Sequence, residues 1–234
     1  MGQGQSQHEQ ARSDELLQQL AGSQALEYQD IFWKHLFLSM SGPLAGLDPS
    51  LVAQKLNGIC ESLLLNNPST HNLQVLVLHT VALLHDVKAG KNRRSAANAV
   101  RFISAVLGAI NRSQAPRENL TSLFEISPTL PIPRELVAPG NHQLLKILVR
   151  RLMSTLAEVG PSEATYVVLF ECACCLLVLA SAQLAGNGTG SSGGAGPGRS
   201  PAIDALLTQQ ATAPMFMQRL LQAVMARPPP PRDG

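Results

Sequence analysis

The sequence predicts an all-α protein, and three observations indicate this class. Apolar residues recur at intervals of three and four along most of the chain, which is the period of a helix packed on one side. Strand signals are weak, because only 4% of the residues are aromatic and no long run alternates polar with apolar. Asn, Pro and Gly, which begin or end helices, separate the apolar segments. We therefore expect an irregular armadillo- or HEAT-like superhelix, or a helical bundle.

Composition limits the function classes. A chain of 234 residues with 45% hydrophobic residues can bury a sizeable core. Charged residues make up 15% and the formal net charge is +2, which is far from the basic balance of a nucleic-acid-binding protein. No secretory signal precedes the first apolar run at Leu16, so we expect the cytoplasm and four cysteines that stay as thiols.

Two early helices are predicted around a short polar segment. Asp48 and Pro49 form an N-cap and first-turn pair. The helix that follows is expected to end at residues 66–68, where Asn can adopt the left-handed cap and Pro interrupts helical hydrogen bonding. The next helix should begin near Thr70 or Asn72 and be buried on most sides. Its apolar residues are Leu73, Val75, Leu76, Val77, Leu78, Val81, Leu83, Leu84 and Val87.

A basic turn and a proline-rich connection separate the later helices. The helix that follows the turn is expected to bury one apolar stripe and to place Asn98 and Arg101 in solvent. Four prolines punctuate residues 127–140, and the next two helices are predicted over 142–159 and 165–184.

Five segments follow from this pattern. They are a flexible, disordered N-terminal segment (1–12), a helical domain (13–185), a flexible Gly/Ser-rich linker (186–200), C-terminal helices (201–226) and a Pro-rich tail (227–234). The C-terminal helical region is expected to break at Pro214. It lacks the polar outer face that closes a helical stack.

Thr165–Leu184 is apolar and long enough to span a bilayer. Glu171 interrupts it, at a cost of about 2.5–3.5 kcal/mol on insertion, and neither flank carries a nearby Lys or Arg that would set an orientation. The segment is therefore interpreted as a buried core helix, with a membrane span as the alternative.

No motif indicates an enzyme, a metal site or a cofactor. Cys172-x-x-Cys175 places two thiols on one side of a helix, but no second ligand pair follows at zinc spacing, so both are interpreted as small core residues. His79 and His85 are too far apart around a helix to bind one metal. A Gly-x-Gly-x-x-Gly string from residue 188 lacks the flanking strand and helix of a dinucleotide site. No small-molecule substrate is expected.

The N-terminus fits the N-myristoylation pattern M-G-x-x-x-[ST], with Gly2 as acceptor and Ser6 as the recognition residue. The alternative is a chance match. One myristoyl chain binds membranes with an association constant of only about 10⁴ M⁻¹, so stable attachment needs a second contact.

One basic cluster could supply such a contact. It consists of Lys88, Lys91, Arg93 and Arg94. Each cation near an anionic surface contributes about 1 kcal/mol, so the cluster is a possible acidic-lipid or partner contact. The alternative is a turn that is only solvated.

Several local strings together resemble the N-terminal region of the dymeclin family. These are Leu16-Leu17-x-x-Leu20-Ala21-Gly22, Phe32-Trp33-x-x-Leu36 and Asn66-Asn67-Pro68-x-Thr70-x-Asn72-Leu73. The apolar helices at 144–156 and 165–184 and the prolines at 228–231 continue the resemblance more weakly. Family members extend well past that proline run, so the sequence resembles an N-terminal portion, and the Gly/Ser-rich linker departs from the pattern.

The resemblance implies a cytosolic helical protein that associates peripherally with Golgi membranes, is myristoylated at Gly2, and supports Golgi organisation and vesicle trafficking. The primary hypothesis is a non-enzymatic peripheral membrane scaffold, anchored to the Golgi surface by its lipid, with protein partners unspecified. The alternative is a soluble α-solenoid adaptor with no membrane role.

Overall fold

The computed structural model describes residues 3–39, 49–112, 123–126, 136, 143–181 and 201–226. The helices of this part are α1 (Gln3–Ala21), α2 (Ile31–Ser39), α3 (Pro49–Thr70), α4 (Asn72–Lys88), α5 (Arg93–Arg112), α6 (Leu144–Glu158), α7 (Glu163–Ser181), α8 (Pro201–Leu207) and α9 (Ala213–Ala226). Outside the helices, Glu125 and Gln143 form an isolated antiparallel bridge. The predicted all-α class is confirmed, while the superhelix remains a prediction.

Local side-chain hydrogen bonds fix where some helices start. The backbone N–H of Phe32 donates to Asp30 Oδ1 at 2.8 Å, so Asp30 caps α2. Before α7, the backbone N–H of Ser162 donates to Thr165 Oγ1 at 2.9 Å, and the Ser162 carbonyl accepts from the N–H of Tyr166. Asp30 Oδ1 and Thr165 Oγ1 thus accept from amide groups that the start of a helix leaves without partners.

The junction between α3 and α4 differs from the prediction at one end. The restart at Asn72 is confirmed, but α3 does not stop at residues 66–68: it continues through Pro68 to Thr70. His71 alone breaks the helix, with φ 56° and ψ 18° in the left-handed region. Pro68 lacks the N–H that would bond the carbonyl of residue 64, but it lies in the last turn of α3. After it, Thr70 Oγ1 donates to the Asn66 carbonyl at 3.0 Å and the N–H of His71 donates to the Asn67 carbonyl at 2.8 Å.

The core lies between two helical hairpins, α4–α5 and α6–α7. Helix α4 packs against α5 and α6, and α5 packs against α7. Helices α1, α2 and α3 cover the other side of the first hairpin. The largest fully buried side chains are Trp33, Phe102, Leu20, Leu36, Leu63, Leu73, Leu76, Leu78, Leu84, Ile103, Leu144 and Leu148.

Two polar residues of α5 were assigned to solvent, and the structure corrects both. Asn98 is 7% exposed and donates from Nδ2 to the Phe37 carbonyl at 2.8 Å, which joins α5 to α2. Arg101 pairs with Glu171 of α7. The helical period was interpreted correctly for the apolar stripe, but α5 is covered on more than one side, so its polar residues also meet neighbouring helices.

The two ends of the chain also differ from expectation. The backbone of residues 3–12 lies in α1, where the sequence predicted a flexible segment. The C-terminal region breaks at residues 208–212 instead of at Pro214, which occupies the first turn of α9. Pro is compatible with a first turn because the amide hydrogen it lacks would have no helical partner there. The linker at 186–200 and the tail at 227–234 lie outside the described residues.

Candidate binding surfaces

The predicted lipid acceptor, Gly2, lies outside the described residues. The recognition residue Ser6 has its backbone in α1, and its side chain is outside the description. Helix α1 is held to the core by Leu17 and Leu20, which are 3% and 0% exposed. Arg12 Nη2 also lies 2.9 Å from His35 Nδ1 of α2. Residue 2 therefore precedes a helix whose C-terminal half is fixed to the fold.

The Asn-rich string that resembles the dymeclin family forms a structural junction. Asn72 is fully buried, and its Nδ2 donates to the carbonyls of Leu20 and Gln24 at 3.0 Å each, while its Oδ1 accepts from the N–H of Leu26 at 2.9 Å. Asn66 Nδ2 donates to the Ala21 carbonyl at 2.8 Å. Both side chains satisfy backbone groups at the end of α1 and in the following loop, so they connect α1 to the α3–α4 junction.

The second resembling string, around Phe32 and Trp33, forms an aromatic cluster around His79. The His79 ring stacks on Tyr28 at a centroid distance of 4.2 Å and on Trp33 at 5.0 Å. Its Nε2 lies 2.9 Å from the Tyr28 carbonyl. Burial lowers the pKa of His79 from 6.5 to about 4, although the bond to the Tyr28 carbonyl opposes this shift. The imidazole is therefore neutral at physiological pH and serves the packing of α2 against α4.

The predicted basic cluster spans the last residue of α4, the turn after it and the first residues of α5, and its cations have different surroundings. Lys88 Nζ lies 2.8 Å from Glu158 Oε2 at the end of α6. Arg93 is half-buried, with its Nη2 beside Gly90. Lys91 and Arg94 are exposed. The structure thus brings the four residues together, while Glu158 neutralises one of them.

The backbone of this turn depends on two residues in the left-handed region. Gly90 has φ 77° and Asn92 has φ 53°. Asn92 is held by a hydrogen bond from its Nδ2 to Asp86 Oδ2 at 2.8 Å. Gly and Asn are the residues that adopt this conformation at least cost, so the turn that presents Lys91 has a defined shape.

Helix α7 contains most of Thr165–Leu184, the apolar segment long enough to span a bilayer. It has one buried side and one exposed side. Its Glu171 is 7% exposed, and Oε1 contacts both Nη2 and Nε of Arg101, at 2.6 and 2.8 Å. By length and composition α7 could cross a membrane. Its packing against α5 and α6, together with this ion pair, supports the interpretation as a core helix.

The cysteines of α7 are positioned as small packing residues. Cys172 and Cys175 are buried, and burial raises the pKa of both thiols, that of Cys175 to about 12. Cys174 is half-exposed, and partial burial raises its pKa as well. Thiolates, the forms that bind metals, are therefore disfavoured at all three. Among the described residues, no group of three or more His, Cys, Asp or Glu side chains could hold a metal ion.

The exposed side of α7 is apolar, a feature that the sequence pattern did not reveal because the whole helix is apolar. Tyr166, Val167, Phe170 and Leu177 are 37%, 49%, 54% and 70% exposed. The rings of Tyr166 and Phe170 stack at 6.3 Å. Since a helix turns 100° per residue, these side chains and Cys174 lie on one face. We call this set the α7 face.

Helix α9 adds a second exposed apolar surface. None of its residues is buried, although Phe216 packs on the core. Its large exposed side chains are Met215, Met217, Leu220, Leu221, Val224 and Met225. Such exposure concentrated on two helices is characteristic of an interaction surface.

A cleft of about 200 Å³ lies between α6 and α8. Its lining residues are Phe124, Gln143, Leu145, Lys146, Pro201, Asp204 and Ala205. Lys146 and Asp204 are the ionisable residues of this lining.

Comparisons with known proteins agree with the strings described above. Residues 1–233 match the family described as "Dymeclin: Dyggve-Melchior-Clausen syndrome protein". Dymeclin of Xenopus laevis is 28% identical over 196 residues, which cover 79% of this chain and 28% of that protein. Dymeclin of Rattus norvegicus is 26% identical over 194 residues, covering 79% and 29%. Dymeclin of Gallus gallus is 26% identical over 196 residues.

The chain thus spans less than a third of the length of these relatives. No solved structure matches the sequence significantly.

Proposed function

This chain belongs to the dymeclin family, and from that premise we propose that it is a non-enzymatic peripheral membrane scaffold of the cytoplasmic Golgi surface. In this proposal Gly2 carries a myristoyl group, and the helical stack behind it presents surfaces to protein partners. Its role is to support Golgi organisation and vesicle trafficking. It takes neither nucleic acid nor a small-molecule substrate.

The observation that carries the proposal is the Met1-Gly2 start with Ser6 at the recognition position, at the beginning of a helix whose C-terminal half is docked on the core. A lipid on Gly2 would be connected to the fold through α1, which packs on α2 and α3. Membrane attachment would therefore orient the whole stack. Because one acyl chain binds only marginally, Lys91 and its neighbours are proposed as an additional contact with acidic lipid.

The test replaces the acceptor. Gly2→Ala should lose the mass of one myristoyl group in intact-protein mass spectrometry and move the protein from the membrane fraction to the soluble fraction of cells. In fluorescence images it should lose overlap with a Golgi marker. Gly4→Ala is the matched control, since it makes the same change two residues away and leaves the acceptor in place; it should behave as the wild type.

Two results would contradict the proposal. An unmodified wild-type N-terminus would exclude the anchor, and an unchanged membrane fraction for Gly2→Ala would show that the lipid is not what holds the protein. Equal thermal unfolding of the two variants would establish that a loss of localisation is not a loss of folding.

The alternative function is a soluble helical adaptor with no membrane role. The apolar surfaces of α7 and α9 favour it, because they suit protein contacts and need no lipid. An unmodified N-terminus combined with a cytoplasmic distribution would favour this alternative.

A further inference from the structure

The two hairpins of the core are stacked in the same direction. At the C-terminal ends of α4 and α6, Lys88 contacts Glu158. Along α5 and α7, Arg101 contacts Glu171, and further on Asn111 Nδ2 donates to the Val178 carbonyl at 3.1 Å. In sequence the Arg101–Glu171 partners are 70 residues apart and the Asn111–Val178 partners 67 residues apart. The α6–α7 hairpin thus repeats the α4–α5 hairpin beside it.

Helix α9 stands in the position of the first helix of a third hairpin. It packs on α6, as α6 packs on α4. Arg150 in the middle of α6 donates to Gln209 just before α9, at 3.3 Å. Arg219, in the middle of α9, lies beside Gly160, which follows the end of α6. Helices α6 and α9 therefore run in the same direction, as α4 and α6 do.

The second helix of this third hairpin has no counterpart among the described helices. That helix would pack on α7 in the way that α7 packs on α5. The surface at that place is the α7 face. Helix α9, which packs on α6, would form the neighbouring side of the same place with its exposed Leu220, Leu221 and Val224. The α7 face carries no ionic side chain between Glu163 and Ser181, because Glu171 points toward Arg101. Glu163, the exposed first residue of α7, stands one turn before Tyr166, so a helix that covers Tyr166 to Leu177 need not bury its carboxylate.

We propose that the α7 face and the exposed side of α9 bind one apolar-faced α-helix, and that this helix comes from the part of a dymeclin-family chain that the present sequence does not match. The described relatives are more than three times as long as the matched region, so they have further chain that could supply it. This proposal rests on family membership and packing, and it is independent of the lipid at Gly2.

The longer segments of this chain outside the described residues do not have the composition of such a helix. Residues 127–142 contain four prolines, residues 186–200 are rich in Gly and Ser, and residues 228–231 are four consecutive prolines. Gly and Pro are the least favourable residues in a helix interior. A bilayer fits less well than a helix, because neither surface offers the cluster of cations that attracts anionic lipid.

The thiol of Cys174 can report whether the α7 face is covered. It is half-exposed on the α7 face, whereas Cys60, Cys172 and Cys175 are buried. The experiment compares iodoacetamide labelling of this 234-residue chain with labelling of a chimera, in which this chain replaces the matched part of Xenopus laevis dymeclin. Peptide mass spectrometry assigns the label. We expect Cys174 to react at least ten times more slowly in the chimera.

Two chimera variants make the readout specific. Leu177→Arg places a charge on the α7 face and should restore labelling, while Leu65→Arg, at an exposed position of α3, should leave Cys174 protected. Equal labelling of Cys174 in the chimera and in this chain would overturn the proposal. Protection in this chain alone that rises with its concentration would also overturn it, since a second copy would then be the occupant.

If the chimera does not fold, a second measurement tests the proposal. Intact Xenopus laevis dymeclin would carry a single cysteine at the position that the family match aligns with Leu177, or at the one aligned with Leu65. The proposal predicts slow alkylation at the first position and fast alkylation at the second. Fast alkylation at both would refute it, whatever the result for Gly2.

Discussion

Arg101 on α5 and Glu171 on α7 form a partly buried ion pair between the two core hairpins, with Nη2 and Nε of the arginine 2.6 and 2.8 Å from the same carboxylate oxygen. The glutamate side chain is 9% exposed and the arginine 39%. The pair also explains how an apolar helix accommodates a carboxylate: its charge is turned toward a cation on the neighbouring helix and away from the exposed face.

Removing only the cation should destabilise the fold. Arg101→Leu leaves Glu171 buried without its ionic partner, and we expect a loss of about 2 kcal/mol, below the figure for fully buried pairs because Arg101 is partly exposed. Urea unfolding followed by circular dichroism measures it. The double variant Arg101→Leu/Glu171→Leu should recover much of the loss, since no buried charge remains. A double variant that is less stable than Arg101→Leu would contradict this account.

Asn72 should be among the least replaceable polar residues of the chain. Asn72→Ala removes three hydrogen bonds and leaves the carbonyls of Leu20 and Gln24 and the N–H of Leu26 without that partner, so we expect a cost of about 2–3 kcal/mol. Ser69→Ala, which removes one bond on the exposed side of the same junction, should cost under about 0.5 kcal/mol. If the two variants unfold at similar denaturant concentrations, the predicted importance of the Asn72 hydrogen bonds is wrong.

His79 should make the fold less stable in mild acid. Its folded pKa of about 4 lies below the unfolded value of 6.5, so between these values the unfolded chain binds a proton that the folded chain does not. The contribution of His79 is therefore complete above pH 6.5 and declines as the pH falls toward about 4, by at most a few kcal/mol. Below that pH the contribution of His79 to stability changes little further.

The control for this pH dependence is His79→Phe, which keeps an aromatic ring among Tyr28 and Trp33 without a titrating group. Unfolding free energies of both proteins across the range would be compared, so that other titrating residues cancel. The wild type should lose more stability than the variant as the pH is lowered. Parallel curves would show that His79 titrates normally.

Lys91 and Lys88 should differ in their contribution to lipid binding, although they are three residues apart. Lys91 is exposed, so Lys91→Ala should weaken binding to vesicles containing phosphatidylserine about fivefold, the equivalent of about 1 kcal/mol. Lys88 faces Glu158 at 2.8 Å, so the double variant Lys88→Ala/Glu158→Ala removes a cation together with its anion, keeps the net charge, and should change binding less than twofold. Sedimentation of the myristoylated protein with vesicles measures both. Equal effects would mean that the turn does not contact the membrane in the described conformation.

Much of the helical pattern could be predicted because it is local. The restart at Asn72, the burial of α4 on most of its sides and the helix predicted over 142–159 follow from caps, periodicity and breakers within a few residues. The predictions were wrong where a proline was interpreted as a helix breaker although its position in a helix tolerates it. Pro68 was interpreted as a stop, yet it lies in the last turn of α3, and Pro214 was interpreted as a break, yet it lies in the first turn of α9.

The candidate surfaces were less predictable. Asn98 and Arg101 were assigned to solvent because they are polar residues on an amphipathic helix, but each bonds to a residue at least 61 positions away. The α7 face was hidden because a helix that is apolar on every side carries no periodic signal of which side is covered. The basic turn was found correctly, but not the neutralisation of Lys88 by Glu158.

The sequence by itself determined the all-α class, the segments that become helices and the family, since these depend on composition, short-range spacing and strings such as that from Asn66 to Leu73. Only the tertiary structure decided that α6–α7 stacks on α4–α5 in the same direction and that one side of α7 stays exposed. Helix formation depends on neighbours three and four residues apart, whereas the partner that covers a helix is chosen among segments some 70 residues distant.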